Sequence, residues 1–199
     1  EIGGLLAAVA TSLPVIELVL TVLITPSLMA AGYDFWHALW NGFYLAASAF
    51  TNTGFVPLAG GLEPFTNDFY LLSVLGIGVF LGAIGFPVIF ALYRYVIGGG
   101  WRAHKRLGLH TKLTLTTTVI FVIFGWIAIT ALEWNNVRTF GHQDVGQTLF
   151  NAGYMSVMTR SGGLGIVNPA DMNGSTLLVM DMLMFVGGGS ASTAGGIKV

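Results

Sequence analysis

Four long apolar stretches alternate with polar segments along the chain. Their residues are 5–31, 69–93, 113–132 and 176–199. The first carries a single charge at Glu17, the next two carry none, and the last is apolar apart from Asp181 until it reaches a glycine-rich run. Because a helix of about 20 apolar residues crosses a hydrocarbon core of about 30 Å, the pattern predicts four membrane-spanning helices.

Two shorter apolar stretches, residues 36–50 and 145–158, lie between these spans and contain no Asp, Glu, Lys or Arg. At 1.5 Å per residue each reaches only about 20–24 Å as a helix, which is too short to cross. We therefore expect both to dip into the membrane and stop. The order of elements is long, short, long, and then the same again.

The two halves of the chain also match in sequence. Residues 38–44 (ALWNGFY) align with residues 148–154 (TLFNAGY), and a turn of small polar residues follows each short helix. Repeats in membrane proteins arrange equivalent elements around a shared axis, where the functional site lies. The halves are therefore predicted to be two copies of one helix–short helix–helix unit.

Composition supports a membrane protein. Of the 199 residues, 54% are hydrophobic and only 9% are charged, against about 25% charged in soluble domains. The formal net charge of −1 leaves no basic face for nucleic acid, and the absence of cysteine excludes thiolate metal sites and cysteine nucleophiles. We predict an all-α, multi-pass integral protein of the cell membrane.

The distribution of charge predicts which side faces the cytoplasm. Residues 94–112 contain basic residues and no acidic ones, namely Arg94, Arg102, Lys105, Arg106 and Lys112. Cytoplasmic loops carry such an excess, so this segment is predicted to be cytoplasmic. Both short helices then enter the membrane from the outer side.

The turn after each short helix has the chemistry of a cation site. The C-terminal end of a helix carries about half a negative charge, and irregular backbone at membrane depth must line a water-filled cavity or be buried in protein. Rings of carbonyl oxygens can replace the water shell of a monovalent cation. We therefore expect the carbonyls of these turns to form a pathway for a dehydrated monovalent cation, with its constriction on the outer side and with no organic cofactor.

Several motifs resemble the Trk/Ktr/HKT superfamily of potassium transporters, and the KtrB-like pore subunit in particular. They are residues 48–55 (SAFTNTGF), 158–164 (MTRSGGL), 109–115 (LHTKLTL), 133–136 (EWNN) and 189–198 (GSASTAGGIK). The resemblance implies four helix–pore-helix–helix repeats around a pseudo-fourfold cation pore. Residues 1–100 would be the second repeat and residues 101–199 the third, with the first and fourth outside this sequence.

The resemblance also implies the residues of the two selectivity filters. The N-terminal filter turn consists of Thr51, Asn52, Thr53, Gly54 and Phe55, and the C-terminal filter turn of Arg160, Ser161, Gly162, Gly163 and Leu164. The family's third filter often reads Arg-Thr-Ala-Gly-Phe. The additional glycine at Gly162 is expected to loosen the turn, and the leucine at Leu164 to remove an aromatic brace, which would weaken discrimination between K⁺ and Na⁺.

The glycine-rich run can be interpreted in three ways. It can be a packing face of small residues, or a phosphate-binding loop, for which Lys198 is not correctly placed. The resemblance implies the third, a break in the helix below the filter that acts as a gate. This gate loop consists of Gly187, Gly188, Gly189, Ser190, Ala191, Ser192, Thr193, Ala194, Gly195, Gly196 and Lys198.

Asp181 is a carboxylate within a predicted span, where an unpaired charge is costly. Arg160 is the nearest cation in the same repeat, so we expect a structural ion pair between the two behind the filter.

The partners implied by the resemblance are a second pore subunit in a homodimer and a cytosolic nucleotide-binding regulatory subunit. Membrane lipid is the alternative partner of the basic segment, because positively charged cytoplasmic loops commonly lie against anionic headgroups.

Two other functions compete with cation uptake. A scaffold protein with glycine-mediated packing would leave the two short helices unexplained. An intramembrane serine hydrolase using Ser190 or Ser192 would require a histidine in reach, and none of His37, His104, His110 and His142 lies at membrane depth. The protein is therefore predicted to be a channel or transporter subunit and not an enzyme.

Overall fold

The computed structural model describes residues 2–97, 107–190 and 192–198. Within them the chain forms seven α-helices and two single-turn 3₁₀ helices, with no β-strand. In chain order the helices are α1 Ile2–Ala30, α2 Phe35–Phe50, α3 Phe69–Ile84, α4 Phe86–Ile97, α5 Leu109–Glu133, α6 Val145–Met158 and α7 Gly174–Phe185, with 3₁₀ turns at Glu63–Phe65 and Pro169–Asp171. The all-α class expected from the sequence is confirmed.

Two helices are long and apolar enough to cross a membrane by themselves, Leu6–Ala30 within α1 and Leu109–Glu133, which is α5. Threonines inside α1 do not interrupt it, because Thr21 and Thr25 donate their hydroxyls to the carbonyls of Glu17 and Thr21, one turn earlier. These helices form the outer wall of each repeat, and the shorter helices pack against them.

The predicted span over residues 69–93 is not one continuous helix. It is broken at Gly85, where φ is 83° and ψ is 161°, and α3 and α4 meet at an angle of 104°. Glycine adopts positive φ without a steric penalty. Pro87, just after the break, has no N–H to donate to the carbonyl of Ala83, so a regular helix could not satisfy that oxygen.

The last apolar segment is helical only in its first part. α7 is 12 residues long and ends at Phe185, after which Val186 has ψ 104° and the chain continues without helix. The irregular part includes a single backbone bridge between Val186 and Ile197. The helix therefore ends two residues before the predicted gate loop begins.

The two short helices are built alike. α2 has 16 residues and α6 has 14, and each starts after an extended aspartate, Asp34 or Asp144, and is followed by a helical threonine, Thr51 or Thr159. Asp34 accepts a hydrogen bond from the backbone N–H of His37, as an N-cap does. The side-chain hydrogen bond from His37 lowers the pKa of Asp34.

Small residues allow each short helix to approach its outer helix closely. A Cβ added to Gly42 of α2 would lie 3.1 Å from Oγ1 of Thr25 in α1, and one on Gly125 of α5 would lie 2.5 Å from Oγ of Ser156 in α6. Ser156 also donates to the carbonyl of Val122 at 2.5 Å. Close approach through small residues is typical of helix pairs in membranes.

A buried carboxylate joins the end of α5 to the start of α7. Glu133 has no solvent-exposed surface. One of its oxygens accepts from the backbone N–H of Asn173 at 2.8 Å and the hydroxyl of Thr176 at 2.5 Å. The other accepts from Nδ2 of Asn136 at 2.7 Å and the hydroxyl of Thr139 at 2.5 Å. Four donors therefore stabilise this charge in the interior.

We expect Glu133→Gln to lower the stability of the protein by about 1.5–3 kcal/mol, the usual contribution of a hydrogen bond to a charged group. In glutamine an amide N–H₂ group replaces one carboxylate oxygen, so two of the four donors would face a group that cannot accept a hydrogen bond. Thermal unfolding of the purified protein in detergent measures the change. Glu63→Gln, at an exposed position, is the control, and equal melting temperatures for the two variants would contradict this role of Glu133.

Candidate functional site

The two filter turns have the same backbone pattern. Asn52 and Gly54 have φ of 54° and 78°, and Ser161 and Gly163 have φ of 66° and 69°. Asn52 and Ser161 are the non-glycine residues with positive φ in the described part of the chain. Such residues are uncommon and occur where the surrounding structure holds them. The repeat seen in the sequence therefore extends to backbone conformation.

The turns also meet in space. A Cβ added to Gly54 would lie 3.0 Å from Cα of Gly163 and 3.1 Å from the carbonyl oxygen of Gly162. In return, a Cβ on Gly163 would lie 3.1 Å from Cα of Gly54. Nδ2 of Asn52 donates to the carbonyl of Arg160 at 3.4 Å. The two predicted filters thus contact each other through glycine backbone.

The C-terminal filter turn is held by packing that the sequence did not suggest. Gly162 is buried, and a Cβ there would lie 2.7 Å from the sulfur of Met158 and 2.8 Å from Val79, so the glycine fills a tight space and does not loosen the turn. Leu164 is buried, and its carbonyl accepts from the hydroxyl of Tyr154 at 2.6 Å. The hydroxyl of Tyr154 therefore holds the main chain at the end of this turn.

The expected ion pair between Arg160 and Asp181 is not formed. Arg160 is 1% exposed, and its guanidinium donates to the carbonyls of Val186 at 3.0 Å and Gly187 at 2.6 Å. It also lies 5.6 Å from the ring centre of Phe121. The carbonyls of Val186 and Gly187 directly follow α7, at the negative end of the helix dipole, so main-chain oxygens and not a carboxylate are the partners of this cation.

Asp181 lies in a different environment from Arg160. It is exposed and lines an open cavity of about 710 Å³ that Ser161 and Gly163 also line. Glu63 belongs to the same cavity wall. The carboxylate therefore faces a space next to the filter turn and not the buried guanidinium.

Backbone carbonyls at the break in α3 accept hydrogen bonds from backbone N–H groups of the gate loop. Because Pro87 has no N–H, the carbonyl of Ala83 is free, and it accepts from the N–H of Gly189 at 2.9 Å. The carbonyl of Gly82 accepts from the N–H of Thr193 at 3.3 Å. The gate loop of one repeat is thus bonded to the helix break of the other.

Glycine is sterically required in the gate loop. A Cβ on Gly187 would lie 2.0 Å from the carbonyl oxygen of Gly195, and one on Gly188 would lie 2.4 Å from that of Ala83. The loop closes on itself, since the N–H of Gly187 donates to the carbonyl of Ile197 at 2.8 Å. These glycines allow two stretches of irregular backbone to lie against each other. The run is therefore not a face of small residues between two packed helices.

The ammonium group of Lys198 binds oxygen atoms in the C-terminal part of the gate loop. It donates to the hydroxyl of Ser192 at 3.2 Å and to the carbonyls of Ser192 and Ala194. The lysine thus caps carbonyl oxygens of the turn. Ala191, a further predicted member of the gate loop, lies outside the described residues, as do Arg102, Lys105 and Arg106 of the basic segment.

Comparison with known proteins identifies the family. The profile of the family described as TrkH, cation transport protein, matches residues 5–199. The chain belongs to this family of cation transport proteins. Membership confirms the expected resemblance, and the family is one of transport proteins and not of enzymes.

Several curated relatives of this TrkH-family chain are named for potassium uptake. It is 34% identical to the Ktr system potassium uptake protein D of Bacillus subtilis over 83% of this chain and 36% of that protein. It is 35% identical to the Ktr system potassium uptake protein B of Vibrio alginolyticus over 76% of this chain and 32% of that one. The potassium/sodium uptake protein NtpJ of Enterococcus hirae is 31% identical over 80% of this chain and 34% of its own length.

A solved structure has the same fold. The potassium transporter TrkH from Vibrio parahaemolyticus superposes with a TM-score of 0.66 at 18% sequence identity, over 96% of this chain and 38% of the transporter. The chain therefore spans less than half the length of these relatives. The helical architecture of two repeats corresponds to part of a TrkH-type membrane protein.

Sequence reasoning missed the residues that join the two repeats. Gly82, Gly85 and Pro87 mark the break in α3, and Tyr154 braces a filter carbonyl. A Gly-x-x-Gly-x-Pro pattern inside an apolar stretch was the available signal for the break, because glycine and proline are the strongest interrupters of helices. Nothing local in the sequence marks Tyr154 as a donor to residue 164.

We expect Gly82→Ala to disrupt the site, because its Cβ would lie 2.1 Å from the carbonyl oxygen of Phe50. Forced overpacking costs about 1–3 kcal/mol or more. Gly76→Ala in the same helix is the matched control, since its nearest neighbour is an atom of Tyr154 at 3.9 Å. The measurement is the melting temperature and folded yield in detergent. A Gly82→Ala protein as stable as Gly76→Ala would contradict the close contact.

Proposed function

We propose that this chain forms two quarters of a potassium-conducting pore, with the two filter turns as half of its selectivity filter. The observation that carries the proposal is the repeated left-handed backbone of the two turns and their contact at Gly54 and Gly163. Two equivalent turns that meet through backbone are what a pore lined by carbonyl oxygens requires.

The proposed ligands of the ion are the carbonyl oxygens of Asn52, Thr53, Ser161 and Gly162. Alternating left-handed and right-handed residues can point successive carbonyls toward one axis, and glycine at the second left-handed position makes this possible at low cost. α2 and α6 end just before these turns, so the negative ends of two helix dipoles lie behind the ion. Such a site suits a dehydrated monovalent cation.

Potassium is the proposed cation, with sodium as the alternative. Two of the relatives, 34% and 35% identical to this chain over the aligned residues, are named potassium uptake proteins, and a third at 31% is named for potassium and sodium. We infer that uptake runs from an outer filter to a cytoplasmic segment at residues 94–112, in the cell membrane. The basic residues of that segment support this sidedness.

The gate loop is proposed to obstruct the pore on the inner side of the filter. It passes next to both filter turns, since a Cβ on Gly195 would lie 3.3 Å from Oγ of Ser161. Opening of the loop would break its bonds to the carbonyls of Gly82 and Ala83, but it would not require a regular helix to unfold.

We also propose two partners for the whole protein, a second pore subunit and a cytosolic nucleotide-binding regulator. Support comes from the excess of basic residues at Arg102, Lys105 and Arg106 and from names that describe Ktr systems. Anionic lipid is the competing partner of this segment. An unchanged nucleotide response of uptake after neutralisation of the three residues would assign the segment to lipid.

The filter is tested by Gly163→Ala in the complete gene product, expressed in cells that lack their own potassium uptake. An alanine there would have φ of 69° and a Cβ 3.1 Å from Gly54. A left-handed residue with a Cβ costs about 1–2 kcal/mol, so we expect the ratio of K⁺ to Na⁺ uptake to fall about 10-fold. Gly165→Ala, whose nearest contact is at 3.6 Å, is the control. An unchanged ratio in Gly163→Ala would exclude this turn from the filter.

The gate is tested by removal of residues 190–193. The shortened loop is expected to raise cation flux by several-fold, because less backbone then obstructs the pore. Replacement of Ser190 and Ser192 by alanine keeps the length of the loop and the side chain of Thr193, and is the control. If the folded deletion variant conducts like the parent, the loop is not a gate.

A further inference from the structure

Thr193 lies where the gate loop, the N-terminal filter turn and the break in α3 meet. Its hydroxyl is within hydrogen-bond distance of the carbonyl of Phe50 at 3.0 Å and of Gly82 at 3.2 Å. Phe50 is the last residue of α2 and comes directly before the N-terminal filter turn. One side chain of the gate loop therefore contacts the backbone that supports this filter turn.

Ser161 makes the corresponding contact in the other repeat. Its hydroxyl oxygen accepts from the N–H of Gly195 at 3.0 Å. Ser161 is also the left-handed residue of the C-terminal filter turn. The gate loop is thus bonded to the C-terminal filter turn through the N–H of Gly195, and to the residue directly before the N-terminal filter turn through the hydroxyl of Thr193.

We propose that Thr193 and Ser161 are positioning residues that couple the gate loop to the filter, so that cation occupancy of the filter and closure of the loop depend on each other. This rests on the proposed function and adds a link between its two parts. Neither side chain needs to contact the permeating ion. Ser161 belongs to the turn whose carbonyls are proposed ligands, and Thr193 acts through the backbone of Phe50, directly before the other turn.

The direction of the coupling follows from linkage. A cation stabilises the filter geometry that binds it best, and these bonds join that geometry to the closed loop. The factor by which the bound ion raises the equilibrium constant for loop closure then equals the factor by which closure raises the affinity for the ion. One neutral hydrogen bond contributes enough to change such an equilibrium by about 2- to 10-fold.

The test measures loop accessibility without any flux. The 199 residues contain no cysteine, and Ser190 in the gate loop is exposed. Ser190→Cys in the complete gene product, purified in detergent, reports loop opening through its rate of reaction with a methanethiosulfonate reagent. The parent without this substitution sets the background, and rates are compared in K⁺ and in N-methyl-D-glucamine.

In the Ser190→Cys protein we expect K⁺ to slow the reaction. Adding Thr193→Val, which keeps the shape of the side chain and removes the donor, should raise the rate in K⁺ about 2- to 10-fold and remove most of the K⁺ protection. Ser161→Ala should act in the same direction. Thr193→Ser retains the hydroxyl and should restore the parent's behaviour, which a loss of packing alone would not explain.

The controls are Thr130→Val and Ser12→Ala. The hydroxyls of Thr130 and Ser12 bond to carbonyls of their own helices, those of Trp126 and Val9. If Thr193→Val and Ser161→Ala leave both the rate and its K⁺ dependence equal to these controls, the coupling is excluded. If Thr193→Val does not fold, Ser161→Ala decides the outcome by the same comparison.

Potassium uptake by cells expressing the Ser190→Cys protein separates this proposal from the proposed function. If the cells take up potassium but the labelling rates do not change when Thr193 or Ser161 is substituted, the coupling is overturned and the proposed pore is retained. K⁺-dependent labelling that responds to both residues, in a protein without uptake, would support the coupling and overturn the pore as proposed.

Discussion

The structure depends on one constraint, that backbone N–H and carbonyl groups inside a membrane must find partners within the protein. Two apolar segments of this chain leave the helix, one at Gly85 and one after Phe185. The break in α3 frees the carbonyls of Gly82 and Ala83, and the gate loop supplies the N–H groups of Thr193 and Gly189. Each break supplies hydrogen-bond partners for the backbone groups that the other leaves free, so the two repeats have to fold against each other.

The same constraint explains how the interior accommodates charge. Arg160 is buried at the C-terminal filter turn, and its partners are the carbonyls that follow α7, while Lys198 caps carbonyls of the gate loop. Glu133 is surrounded by four donors that hold the start of α7 beside the end of α5. Backbone dipoles and hydroxyls stabilise these charges, and the result is a rigid frame around a glycine-rich segment.

Close contact between backbones gives the candidate site its character. Gly54 and Gly163 touch across the two repeats, and Gly187 and Gly188 lie against carbonyl oxygens where a methyl group would not fit. A site made this way presents main-chain oxygens with little intervening side chain. This chemistry suits a dehydrated cation better than an organic substrate, and it agrees with membership of a cation transport family.

The sequence by itself determined the class of the protein and the positions of the two short helices, because these depend on local properties. Apolar length sets whether a helix can cross a membrane, and an aspartate before a short helix with a threonine and glycine after it marks where that helix begins and ends. Tertiary structure alone decided the partner of Arg160, the brace from Tyr154 and the joining of the gate loop to α3. Each of these is a bond to a backbone carbonyl far along the chain. Since every residue has such a carbonyl, the choice among them depends on which backbones the folded repeats bring together, and no pattern of side chains encodes it.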